Sequence, residues 1–205
     1  MKKVLCTVLS ILAIALVLGV VSGTALAQDN STYAVTYYSN ANTTGAPDAT
    51  VRVINDGDTG GTLCAAFYVF DDSQEMQECC SCPVTADGLI SESVNNYLLA
   101  NSLTSFVNHR GVIKVVSTNA PSGSCDPTKG SPTAGIRGWA THIQAASLPV
   151  GSIIVRSAFA VTETPLHDAN LSAAELAGLQ QFCSFEIILG SGRGTCTCGL
   201  EDHAF

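Results

Sequence analysis

The 205-residue sequence predicts a mainly β protein, built as an antiparallel β-sandwich that disulfides reinforce. Three observations support this fold class. Short segments rich in β-branched and aromatic residues recur along the chain, with turn signals between them. Charged residues make up only 13% of the sequence, so uncharged polar residues must supply the surface, which is common in β-rich proteins and poor for a helical bundle. Nine cysteines are encoded, and all but Cys6 follow the apolar N-terminal segment.

The N-terminus has the three parts of a secretory signal peptide. Lys2-Lys3 provides a positive end, residues 4–21 are almost wholly apolar, and Ala25-Leu26-Ala27 supplies a small-residue cleavage site. We therefore expect removal of residues 1–27 and a mature chain that begins at Gln28. The alternative is an uncleaved membrane anchor, because the apolar run is nearly long enough to span a bilayer.

The mature chain, residues 28–205, has a length that fits one β-rich domain. Without Lys2-Lys3 it carries seven cations against 17 acidic residues. Such a surface repels nucleic acid and anionic lipid headgroups, and no later segment is long and apolar enough to cross a membrane. We expect a protein that is secreted or lies in the cell envelope, with no nucleic-acid partner and no membrane span after signal cleavage.

The predicted strands are either alternating or continuously apolar. Residues 49–54 alternate apolar and polar side chains, whereas the apolar run at 62–70 indicates a strand buried on both faces. Residues 55–61 between them are a strong turn signal, so these strands are expected to form a hairpin. Gly138 is expected to allow a bulge or close packing near Trp139. The predicted strands are residues 33–38, 49–54, 62–70, 111–117, 135–144, 151–163 and 185–189.

Two short helices are expected in the connections. The first covers residues 91–104. The second, residues 170–182, is clearer, because Ser172 can cap it and Glu175 three residues later completes a capping box. Its Leu176 and Leu179 are expected to face inward.

The remaining segments are expected to be connections. Residues 71–83 form a polar, cysteine-rich link, residues 118–132 a long loop that a disulfide pins through Cys125, and residues 191–194 a turn. Short strands with turns between them are typical of a sandwich of immunoglobulin-like architecture. A small α+β domain is the alternative.

The mature cysteines are even in number, which in an exported chain indicates four disulfides. Cys79 and Cys80 are adjacent, and each should pair elsewhere because a bond between neighbours strains the peptide link. Cys196 and Cys198 point to one face of an extended segment, so this tail is expected to be tied at least once to the turn at 79–82. The eight expected disulfide cysteines are Cys64, Cys79, Cys80, Cys82, Cys125, Cys183, Cys196 and Cys198.

Two other uses of these thiols stay open. Cys79 and Cys82, together with Cys196 and Cys198, have spacings that could offer four thiolates to zinc. Redox catalysis is a weaker alternative, because the cysteines do not lie in a βαβ pattern. An oxidising compartment favours disulfides over both, and the sequence predicts no metal and no cofactor.

One segment resembles a known group of proteins. The run at 68–85 contains Glu-Cys-Cys-Ser-Cys-Pro-Val-Thr and is followed by Asp87-Gly-Leu and Ser93-Val-Asn-Asn. In these motifs the chain resembles a group of exported bacterial proteins that have no assigned activity, and the resemblance extends over much of the mature chain. It implies an envelope or extracellular setting and brings no substrate or catalytic residue.

No catalytic signature is present. The histidines are His109, His142, His167 and His203, and the chain lacks a Gly-x-Ser-x-Gly elbow, a His-Glu-x-x-His motif and a phosphate-binding loop. His142 is expected to be a packed or edge residue of a strand. His167-Asp168 is expected to be an exposed loop dipeptide, with Asp168 or Asn170 assisting the start of the following helix.

Two acidic loops leave calcium binding open. One contains Asp56 and Asp58, and the other contains Asp71-Asp72, Glu75 and Glu78. The first lacks the third ligand and the distal Glu of an EF-hand; a hairpin turn and a solvated acidic loop are the favoured explanations of the two segments.

Three functions follow from these observations. The first is a non-enzymatic structural or binding module of the envelope or extracellular space. The second is a secreted hydrolase whose site assembles from distant residues, with His142 or His167 beside a serine and a carboxylate. The third is a subunit of an extracellular assembly that adds residues 32–38 as a strand to a neighbouring copy.

Overall fold

The computed structural model describes residues 31–100, 107–150 and 153–190 together with Cys196 and Cys198, with side chains except at 147–150 and 153–157. The expected signal peptide, residues 1–27, lies outside this part. Within it, no helix combines the length and the apolar character needed to cross a bilayer. The strands are β1 (Tyr33–Tyr38), β2 (Thr50–Asn55), β3 (Leu63–Asp71), β4 (Met76–Val84), β5 (Leu89–Ser93), β6 (Gly111–Asn119), β7 (Ile136–Val150), β8 (Ile153–Pro165) and β9 (His167–Asp168), and the α-helix is α1 (Ala173–Leu189).

The strands form two antiparallel sheets, which confirms the mainly β, sandwich-like fold. One sheet has the order β4-β3-β6-β1-β9, and the other has the order β5-β2-β7-β8. An immunoglobulin-like architecture is compatible with this arrangement. The expected N-terminal strand is β1, which pairs along its whole length with β6 and at Ala34 and Val35 with β9. It is therefore built into its own sheet and is not a detached strand.

The main core lies between the two sheets. Val51 and Val53 of β2 are 0–1% exposed, as are Phe67 and Val69 of β3, and all four belong to one apolar cluster. Alternation along β2 turns Thr50, Arg52 and Ile54 to the opposite face, as the sequence pattern predicts.

A second core lies between the five-stranded sheet and α1. Ala66 and Tyr68 on the other face of β3 pack with Leu179 and Cys183 of the helix. The continuous apolar run of β3 is explained by this position, because the strand is covered on both sides. The helix covers a sheet face and is longer than the short connecting helix that the sequence predicts.

The start of α1 confirms the predicted cap. The Glu175 amide donates to Ser172 Oγ at 3.1 Å. The Glu175 carboxylate was expected to complete a capping box, but it accepts hydrogen bonds from Tyr33 Oη at 2.7 Å and from Lys114 Nζ at 2.9 Å. These bonds tie the helix to the sheet, and they lower the pKa of Glu175. Asp168 and Asn170 are not the cap, and His167-Asp168 forms β9 where a loop was expected.

The strand predicted at residues 185–189 is wrong, because these residues are the last turns of α1. Their β-branched and aromatic composition favours a strand locally. The helix continues because Leu179, Cys183 and Ile187 recur at helical spacing and pack on the second core. It ends at Gly190, which has the left-handed φ of +82°.

Three other expectations need correction. Residues 71–83 were expected to be a connection, but most of them form the edge strand β4, where cysteines behave as small apolar residues and Pro83 is tolerated at the edge. The turn at 55–61 does not close a hairpin, since β2 pairs with β5 and β7 whereas β3 pairs with β4 and β6. Residues 91–104 contain the end of β5 and a single π-helical turn at Val94–Leu98, and residues 101–106 lie outside the described part.

Candidate functional site

The eight cysteines expected to form disulfides are paired in the structure. Cys64 pairs with Cys125, which pins the loop at 118–132 as expected, and Cys79 pairs with Cys183 of α1. The tail is tied twice to β4, because Cys80 pairs with Cys196 and Cys82 pairs with Cys198. The Cα–Cα separations of the four pairs are 5.6, 5.7, 5.9 and 5.1 Å in that order, which are normal for disulfides.

A buried carboxylate accompanies the last of these pairs. Glu92 is fully buried on β5, and its Oε1 accepts the backbone N–H of Cys198 at 2.7 Å. The Glu92 oxygen and the sulfurs of Cys82 and Cys198 lie within 4.8 Å of one another, which is close enough for metal ligands. In the disulfide, however, neither sulfur is a thiolate, so this carboxylate acts here by holding the tail.

The histidines are dispersed. His142 of β7 is 3% exposed, stacks on Tyr37 with ring centroids 4.1 Å apart, and shares a 2.8 Å hydrogen bond with Thr164 Oγ1. Burial lowers its pKa. It is thus the packed strand residue that was predicted. His109 Nδ1 lies 2.7 Å from the carbonyl oxygen of Ala41. His167 is exposed on β9. His203 lies outside the described residues.

The acidic loops use their carboxylates locally. Asp71 Oδ1 accepts the amides of Ser73 and Glu75 at 2.9 and 3.0 Å and thereby closes the turn before β4. Asp72 forms an ion pair with Arg110 at 2.6 Å. Asp56 Oδ1 accepts the Asp58 amide at 3.1 Å. These bonds explain both loops as turns.

The outer face of the four-stranded sheet presents a defined pattern of side chains. The pairing register places Arg52 of β2 beside Trp139 of β7, and Trp139 beside Pro165 of β8. Two residues further along β2, Ile54 pairs with Leu89 of β5 and with Arg137 of β7 and forms the adjacent cross-strand row. All six side chains are at least partly exposed to solvent. The outer face of the other sheet differs, because α1 packs on it.

A cavity of about 620 Å³ opens on this face, a volume within the usual range of small-molecule sites. Trp139, the only tryptophan of the chain, is the aromatic residue of its lining. The lining residues are Ile54, Asn55, Asp56, Asp87, Arg137, Trp139 and Pro165.

Gly138, which precedes Trp139, lies at a close contact with Leu166 and with β2. A Cβ on Gly138 would lie 2.5 Å from Leu166 Cδ1 and 3.0 Å from the Arg52 carbonyl, so a larger residue would require Leu166 and the neighbouring strand to shift. The sequence expectation of close packing near Trp139 is therefore confirmed. The regular register of β2 and β7 continues through this residue.

Two turns and one strand supply the charged groups of the cavity: Asp56 follows β2, Asp87 precedes β5, and Arg137 lies on β7. Asp56 Oδ2 lies 3.5 Å from Arg137 Nε, and both atoms are buried. Asp87 is exposed at a positive φ of +58°, and its carboxylate covers Gly57. A Cβ on Gly57 would lie 2.7 Å from Asp87 Oδ1, so Gly57 makes room for this carboxylate.

The sequence pattern does not identify this site. It marks Asp56 only as a candidate calcium ligand, and Trp139 only as a neighbour of Gly138. One signal is available: Arg137 and Trp139 are two residues apart in a predicted strand, so they must share a face. Asp87 comes from a turn far away in sequence, and nothing in its neighbourhood places it beside that strand.

Comparison of the chain with models of known protein families, with curated proteins and with solved structures finds no match.

Proposed function

We propose that this protein is an exported, non-enzymatic binding module, and that its binding site is the cavity around Trp139 on the outer face of the four-stranded sheet. The observation that carries this proposal is the cavity itself, in which an indole, a guanidinium and two carboxylates border one space on an otherwise regular strand surface. Concave sites with an apolar wall and a few fixed polar groups are typical of ligand binding.

Export is supported by the covalent structure. Four disulfides are stable in an oxidising compartment and are rare in the cytosol. The apolar N-terminal segment with its Ala25-Leu26-Ala27 site is typical of a signal peptide. The resemblance of the cysteine motif on β4 to exported bacterial proteins agrees with this setting.

A binding role is favoured over a hydrolase by the surroundings of the histidines. The side-chain neighbours of His142 are Tyr37 and Thr164, and neither His109 nor His167 borders the cavity. General acid–base chemistry needs a titratable group within hydrogen-bond reach of the reacting atoms. Asp56 is already paired with Arg137, which suits recognition more than proton transfer.

The test uses Trp139 as an intrinsic reporter. The mature protein is titrated with a panel of soluble oligosaccharides, small amines and small carboxylic acids, and each titration is followed by calorimetry and by tryptophan fluorescence. We expect at least one class to bind saturably and to change the emission of Trp139, and we expect the compound to be recovered unchanged by mass spectrometry. Binding that leaves the emission unaltered, or no binding by any class, would contradict the proposed site, and conversion of the compound would favour the hydrolase.

A further inference from the structure

From the chemistry of this cavity we infer that its ligand is a neutral carbohydrate, a sugar or oligosaccharide without ionised groups. This inference rests on the proposed function and specifies the class of ligand that the cavity binds. Three features of the described residues support it: the apolar surface of the wall, the balance of charge, and the mixture of hydrogen-bond donors and acceptors.

The apolar wall spans three neighbouring strands. Trp139 and Pro165 are direct neighbours across β7 and β8, and Ile54 of β2 borders the same cavity. A sugar ring presents C–H groups on its faces, which can pack on such a surface, while its hydroxyl groups point to the edges. An indole offers a large rigid contact area at low conformational cost.

The charges on this face are almost balanced. Arg137 is paired with Asp56, and Arg52, the strand neighbour of Trp139, is paired with Glu163. An anionic ligand would meet the carboxylates of Asp56 and Asp87 in the cavity lining, and it would be repelled by the net charge of −8 of the whole chain. A cationic ligand would have to approach the Arg137 guanidinium. A neutral ligand avoids both costs.

The polar groups complement hydroxyls. A guanidinium has five N–H donors, and Arg137 directs Nε at Asp56, which leaves its terminal nitrogens for a ligand. Asp87 is an exposed acceptor that the turn between β4 and β5 brings to the cavity. Hydroxyl groups both donate and accept, so one sugar can satisfy an arginine and a carboxylate at once. Molecules that only donate or only accept cannot.

The test compares saccharides of one size and different charge. Calorimetry measures the binding of four tetrasaccharides: glucose tetramers with α- and β-linkages, the N-acetylglucosamine tetramer, and its deacetylated, amine-bearing form. An oligogalacturonate of the same length supplies the anionic probe. We expect at least one neutral tetramer to bind more tightly than both charged probes.

Variants locate the binding. We expect Trp139→Ala to weaken binding about tenfold or more and Asp87→Asn to weaken it by a smaller factor. Leu89→Ala changes an exposed residue of the same sheet face outside the cavity lining and should leave the affinity unchanged. Circular dichroism of each variant confirms that it folds.

The outcomes separate the two proposals. Preferential binding of the amine-bearing or the galacturonate probe at Trp139 would overturn the neutral carbohydrate and leave the proposed binding function intact. Binding of a non-saccharide alone would do the same. If a neutral tetramer binds and Trp139→Ala and Leu89→Ala bind it equally well, the carbohydrate does not use this cavity, and both proposals fail.

Discussion

Glu78 is a glutamate with no exposed surface. It lies on the edge strand β4 beside Cys79, where its register partner is Val69 of the inter-sheet core. Burial raises the pKa of Glu78 to about 8, and the negative charge of Glu186 on α1 adds to this effect. The side chain is therefore largely protonated in the folded protein at neutral pH, whereas it ionises in the unfolded chain.

This difference predicts a pH dependence of stability. The folded-state pKa lies above the unfolded value, so the favourable contribution of protonated Glu78 is complete below about pH 4.5 and declines as the pH rises towards 8. We expect Glu78→Gln, which is neutral in both states, to stabilise the protein at pH 8. We also expect it to flatten the decline of the free energy of unfolding between about pH 5 and 8.

Denaturant unfolding at several pH values measures this effect. Glu75→Gln is the matched control, because Glu75 is an exposed glutamate three residues away, in the turn that precedes β4. Its profile should follow that of the wild type. A Glu78→Gln profile that parallels the wild type would show that Glu78 is ionised in the folded protein.

At the scale of single elements, α1 depends on its N-terminal cap. Ser172→Ala removes the oxygen that accepts the Glu175 amide, and we expect a loss of about 1 kcal/mol in the free energy of unfolding. Ser184→Ala is the control, because this hydroxyl donates to the Gln180 carbonyl within the helix and caps no free amide. Equal effects of the two substitutions on chemical unfolding would contradict a specific role of the cap.

The attachment of α1 to the sheet depends on Cys79–Cys183. We expect the double variant Cys79→Ala, Cys183→Ala to lose about 2–5 kcal/mol and to show faster amide hydrogen exchange throughout α1. The double variant Cys64→Ala, Cys125→Ala removes a staple from the loop at 118–132 and should leave the exchange of α1 unchanged. Unaltered protection of α1 in the first variant would mean that apolar packing alone holds the helix.

How much of an element the sequence predicts depends on the range of the interactions that form it. The start of α1 was predictable because Ser172 and Glu175 act within one turn. Its end was not, because residues 185–189 favour a strand locally and become helical only through packing of Ile187 on the second core. The edge strand β4 was missed for a related reason, since its buried positions are filled by cysteines and Glu78 and not by a continuous apolar run.

At the scale of the whole molecule, the sandwich-like class was predictable and the pairing of strands was not. Alternation along β2 and the apolar run of β3 indicate how many faces of each strand are buried. They do not indicate which strands pair with each other. The turn at 55–61 was expected to close a hairpin, but it connects β2 of one sheet to β3 of the other. Sequence spacing predicted the tie between the tail and β4, because Cys196 and Cys198 share one face. It did not identify the cavity, which joins Asp87 to Trp139 only through the pairing of distant strands.

Among the residues that the structure describes, the three layers leave the outer face of the four-stranded sheet uncovered. The five-stranded sheet is buried between the main core and α1. The four-stranded sheet has the main core on one side and keeps the Trp139 cavity exposed on the other. The site that we propose for ligand binding therefore lies on the face opposite the helix.

The most direct test of that assignment is a nuclear magnetic resonance titration of the isotopically labelled mature protein. The probe is the panel compound that binds most tightly by calorimetry. We predict that the amide shifts that change will cluster at Arg137, Trp139 and Asp87, with those of α1 unmoved. Changes that cluster on α1, or at another cavity, which Cys80, Asp126 and Lys129 border, would contradict the proposed site.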